Sequence, residues 1–131
     1  MKKYFKILLL VLVTVISIGC AQKSATLEGT ASYRERIALP PSAILEVTLE
    51  DVSLMDIKAP VLAQQSEKIT GQVPFAFSLA YDPTLIKQHH RYNLRAKVLV
   101  NGKLMFITDT FNTVFEANSD KDIHLMMKKV R

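Results

Sequence analysis

An all-β domain behind an N-terminal signal peptide, built as an antiparallel β-sandwich of about seven to eight strands, is the fold this sequence predicts. Three observations predict it. Apolar and polar residues alternate along several short stretches, which is the period of half-buried strands. Past residue 20 no segment sustains an apolar stripe at the 3.6-residue helical period. An Asn-Gly pair, Asn101-Gly102, sits between two such stretches, where a type I′ hairpin turn needs residues that tolerate positive φ.

The first six residues, MKKYFK, form a basic start, and an apolar run of twelve follows, ILLLVLVTVISI. A spanning helix needs roughly 20 apolar residues, so the run is too short for one and fits a secretory signal. Two cleavage readings compete at its end. Ser17-Ile18-Gly19-Cys20 is similar to a lipobox, in which the cysteine is acylated and becomes the first residue, although Ser17 stands where a branched aliphatic is usual. Gly19-Cys20-Ala21 also satisfies the small-x-small rule for ordinary cleavage after Ala21. The sole cysteine of an exported chain stands where a lipobox needs it, and this favours lipidation of Cys20. Residues 1–19 are then the signal, 20–26 the lipidated cysteine and a polar tether, and 27–131 a single domain.

In the domain, weaker strands are expected over residues 29–37 and 61–69. The second holds Gln64, Gln65, Ser66, Glu67 and Lys68, which suits a sheet edge. Pro40-Pro41 breaks the chain before a clearer strand, where Leu45, Val47 and Leu49 alternate with Glu46, Thr48 and Glu50. Phe75, Phe77 and Leu79 make the next stripe. Asp82-Pro83 then opens one helical turn over 83–87, with Asp82 as N-cap. Tyr92, Leu94, Ala96 and Val98 form the inward face of a strand that Asn101-Gly102 folds back onto 103–109. Ile123, Leu125 and Met127 alternate near the end. About 112 residues past the signal suffice to bury a core without disulfides.

Charge and motifs exclude several functions. Three of the 17 lysines and arginines lie in the signal, which leaves 14 against 12 acids. That is no footprint for nucleic acid. Four glycines, at 19, 29, 71 and 102, cannot assemble a phosphate loop or a GxSxG elbow. His89-His90 is the one pair with ligand chemistry, to which His124 could be added. Adjacent residues do not share a strand face, and no carboxylate near them in sequence would orient a ring, so no metal site is expected. Glu46, Glu50 and Asp51 read as solvating groups, so no catalytic residue and no cofactor are expected. The basic end Lys128-Lys129-Val130-Arg131 reads as a solvated tail.

Three blocks carry a family resemblance. Residues 37–53, IALPPSAILEVTLEDVS, residues 74–83, PFAFSLAYDP, with Ile86, and residues 92–96, YNLRA, with Gly102 and Leu104, resemble the YbaY/YscW family of Gram-negative lipoproteins. The resemblance spans roughly residues 32–113. It implies a β-sandwich on a lipid anchor and no catalytic residues. Some members are pilotins, which bind a secretin subunit and help it reach the outer membrane, whereas YbaY-like members lack a settled role. The resemblance also implies a sorting rule: Ala21, rather than Asp, after the acylated cysteine favours the outer membrane. The expected function is therefore that of a non-enzymatic lipoprotein. Acylated Cys20 would hold it in the bilayer at the periplasmic face of the outer membrane, and its partner would be another envelope protein such as a secretin. The alternative is a periplasmic module that binds a small molecule or a glycan.

Register gives a candidate partner surface. A plain two-residue hairpin sets Leu99 opposite Leu104, Val98 opposite Met105, Lys97 opposite Phe106 and Ala96 opposite Ile107. With Val98 inward, Met105 and Ile107 point inward too. Leu99, Leu104 and Phe106 then lie on the outer face, where three large apolar groups form a recognition patch unless residues 111–115 cover them.

Overall fold

A computed structural model describes residues 19–117 and 121–131. The signal sequence up to Ile18 lies outside the described residues. Eight strands run in the order β1 (Ala25–Tyr33), β2 (Ala43–Asp51), β3 (Val61–Lys68), β4 (Phe75–Tyr81), β5 (Tyr92–Val100), β6 (Lys103–Thr108), β7 (Thr113–Val114) and β8 (Ile123–Lys129). One 3₁₀ turn, Pro83–Leu85, follows β4, and Asp82 caps it through its carboxylate, which accepts from the Thr84 N–H at 2.9 Å.

The stripes expected on β2, β4, β5 and β8 face inward. Leu45, Val47 and Leu49, Phe75, Phe77 and Leu79, the four alternating residues of β5, and Ile123, Leu125 and Met127 share one buried core. Removing such side chains from water stabilises the fold by roughly 1.5–3 kcal/mol each. β3 is half-buried at best and ends the sheet, as its polar sequence implies.

The sandwich is corrected. The strands form a single sheet in the order β3-β2-β5-β6-β8-β1-β4, with β7 added beside β5. β8 runs parallel to β1, and the remaining pairs are antiparallel. The sheet curls until its terminal strands, β3 and β4, lie against each other, which makes a mixed, nearly closed barrel. Alternation reports which face of a strand is buried. It does not report whether the buried faces belong to two sheets or to one that curls, nor which way a partner runs.

β1 begins at Ala25, inside the expected tether, and ends at Tyr33, four residues before the expected end. Its inward positions, Leu27, Gly29, Ala31 and Tyr33, include two small residues that mute the stripe. Gly29 is small for a reason: a Cβ there would meet the Ile123 carbonyl oxygen at 2.5 Å and the Phe77 ring at 2.9 Å. The missing side chain lets β8 and β4 both crowd β1.

The hairpin turns where expected, with φ of 52° at Asn101 and 76° at Gly102. Its register agrees for only two rows. Val100 pairs with Lys103 and Leu99 with Leu104, and then an irregularity sets Val98 opposite Phe106 and Lys97 opposite Ile107. Met105 is the extra residue of this β-bulge, and everything beyond it changes face.

Candidate partner surface

The bulge decides which residues the outer face offers. Phe106 does not belong to it. Its ring is fully buried and stacks on Tyr33, with centroids 4.3 Å apart and planes 16° from parallel. Leu99 and Leu104 precede the shift and stay outside. Ile44 pairs with Leu99 on the other side, so Ile44, Leu99 and Leu104 form one lateral row across β2, β5 and β6. Ile44 is 38% exposed. Residues 111–115 do not cover this row, because β7 pairs with Tyr92 and Asn93 at the opposite end of β5.

The next row is ionic. Lys97 lies 3.7 Å from Glu46, and Arg95, a further row on, 3.4 Å from Glu50. Glu50 Oε2 is buried and lacks a well-aligned hydrogen bond, so the guanidinium serves it as a charge rather than as an aligned donor. Ile107 sits between Lys97 and Lys128 in this row. Glu46 and Glu50 are thus held by cations of the neighbouring strand.

Two open hollows flank the apolar row. One, of about 620 Å³, is floored by Val100, Leu104, Met105 and Val130 and rimmed by Lys103, Lys129 and Arg131. The other, of about 430 Å³, adjoins Ile44, Pro41 and Lys68. An apolar floor with a cationic rim and no lining acid suits a segment that carries apolar groups beside carboxylates.

The histidines lie elsewhere. Sequence reasoning finds no carboxylate to orient them, yet His90 Nδ1 lies 2.7 Å from Asp51 Oδ2, brought there by the pairing of Asp51 with Tyr92. Ser53 donates its hydroxyl and its N–H to the other Asp51 oxygen, and the Arg91 N–H donates to Ser53 Oγ at 2.8 Å. Burial alone would raise the Asp51 carboxyl. The bonds from Ser53 and His90 outweigh it and hold Asp51 below the usual carboxylate range. This is a latch at the β2–β5 corner. His124 instead lies 2.7 Å from Thr30 Oγ1. Among the described residues no three of His, Cys, Asp or Glu gather as metal ligands would. Cys20 is exposed and unpaired five residues before β1.

Ile44 is the surface residue that register reasoning misses, and Met105, half-buried against the core, also lines the hollow through its place in the bulge. Ile44 was legible: it breaks an alternation whose other even positions are polar. Met105 was not, because nothing in its local sequence announces a bulge.

Residues 22–127 match the family described as "Type III secretion system lipoprotein chaperone (YscW)". The chain belongs to this family. Every strand but the last two residues of β8 lies within the YscW match, as do Ile44, Leu99 and Leu104, whereas Cys20 precedes it. Over 110 residues, 80% of this chain, it is 41% identical to the "Uncharacterized lipoprotein YbaY" of Escherichia coli (strain K12). The chain spans 58% of the length of that relative. Among solved structures it is similar to that of an alternative pilotin from the type II secretion system of Vibrio cholerae. The TM-score is 0.78 at 45% identity, with 83% of this chain and 99% of that one covered. A YscW-family barrel thus superposes over nearly the whole of a pilotin.

Proposed function

We propose that this chain is a non-enzymatic, pilotin-like chaperone of the Gram-negative envelope. Acylated Cys20 anchors it to the periplasmic face of the outer membrane, and its outer face binds another envelope protein, such as a secretin subunit. The observation that carries this reading is the apolar row Ile44–Leu99–Leu104 with a cation-rimmed hollow beside it. The family description, the lipoprotein relative and the likeness to a pilotin support it.

The chemistry is that of docking. A partner segment lays apolar side chains on the row and turns its carboxylates toward Lys103, Lys129 and Arg131. Apolar burial supplies affinity, and the cations steer the encounter, which makes the association rate salt-dependent. The hollows are open, a shape for a protein segment rather than for an enclosed small molecule. Acyl chains contribute about 0.8 kcal/mol per buried CH₂, and two or more of them anchor stably. Replacing Cys20 by Ala in the full chain tests the anchor and its purpose together. The variant should fail to incorporate labelled palmitate and leave the secretin subunit outside the outer-membrane fraction. Unchanged secretin sorting would refute the proposal.

A further inference from the structure

The end of the barrel opposite the hairpin carries a second exposed apolar feature. Ala25, at the start of β1, pairs with Tyr81, and Asp51, at the end of β2, pairs with Tyr92. The Phe115 ring bridges the two pairs, 5.2 Å from Tyr81 and 5.6 Å from Tyr92. The tether therefore leaves the barrel at the end from which the β2–β3 loop projects. In that loop Leu54, Met55 and Ile57 are 67, 88 and 55% exposed, and Leu85 of the nearby 3₁₀ turn is 44% exposed.

The loop is not slack chain. The Asp51 N–H donates to the Pro60 carbonyl at 2.9 Å and closes its base, and the Val52 N–H donates to the Arg91 carbonyl at 2.8 Å. The Ser53–Asp51–His90 latch fixes the first residue of the projection. A base fastened in this way holds the apolar tip away from the core. Three large apolar side chains within four residues, held out in water, mark a contact surface.

The tether says what covers them. Ala25 is five Cα steps from Cys20, a reach of ~17 Å at full stretch. The nine residues of β1 then carry the chain about 30 Å further to the hairpin end. We infer that residues 54–57 insert into the headgroup–acyl boundary of the bilayer that holds the Cys20 acyl chains, an inference that rests on the lipid-anchor reading. The barrel then stands end-on, with the Ile44–Leu99–Leu104 row lifted toward the periplasm. Asp56 and Lys58 cancel within the loop, so insertion rests on apolar burial and does not require anionic lipid.

The test uses the full processed chain with Met55→Cys or Asn101→Cys, each labelled with an environment-sensitive fluorophore. The protein is reconstituted into vesicles of phosphatidylethanolamine with a minority of phosphatidylglycerol. The Met55 label should be quenched by nitroxide lipid and, on the order of threefold, less by aqueous iodide than the Asn101 label. Adding Leu54→Glu and Ile57→Glu should abolish that protection, and high salt should not. If the mass shows acyl chains but both labels are equally open to iodide, the insertion fails and the anchor stands. If the mass shows no acyl chain and the protein stays off the vesicles, both fail. If Met55 becomes shielded only when a secretin subunit is added, the loop is a protein contact and the inference is overturned.

Discussion

Phe106 is fully buried and stacked on Tyr33, whose hydroxyl donates to the Ile37 carbonyl at 3.0 Å. Phe106→Ala should therefore cost about 3–5 kcal/mol, read as a lower urea midpoint at unchanged slope. A loss under 1 kcal/mol would place the ring outside the core. Asp51 supplies a pH prediction. Its folded pKa is depressed, so the stability it contributes is present above the ordinary carboxylate range and is lost as pH falls through the folded value. The thermal midpoint should drop below about pH 4, and Asp51→Asn should flatten that drop. An unchanged acid limb in the variant would remove the latch from the account. Neither residue was fully legible in the sequence. Phe106 fell on the wrong face because a single extra residue, Met105, inverts everything after it. The His90–Asp51 contact spans 39 positions, so only the β2–β5 pairing could reveal it.

The strands themselves were more legible. β5 runs over the predicted residues, and the inward residues of β2, β4 and β8 are those that alternation assigned. Gly102 tests the element that alternation and turn chemistry predict together. Its φ of 76° is a conformation that a branched side chain resists. Gly102→Val should cost about 1–2 kcal/mol, measured by chemical denaturation. No neighbouring atom lies within 4 Å of the added Cβ, so the loss reports backbone strain rather than a clash. A neutral outcome would mean that the turn has another geometry. β1 was the least legible strand. Gly29 and Ala31 carry little hydropathy, and they are small because β4 and β8 approach from either side.

At the scale of the molecule, the number of strands and every strand face except that of β6 past the bulge were readable, and the closure of the sheet was not. The parallel pairing of β8 with β1, which turns a sandwich into a curled mixed sheet, joins residues nearly a hundred positions apart. That closure also gives the barrel two functional ends in our account, one bearing the tether and the other the row. The row is the surface proposed to receive an envelope protein. The most direct measurement is a titration of the purified full chain with a secretin subunit, wild type against Ile44→Ser with Leu99→Ser. Both side chains are at least partly exposed, so the double variant should keep its thermal midpoint. Its Kd should rise by about tenfold or more, as for the loss of central apolar contacts. A double variant that folds and binds with wild-type affinity would contradict the account.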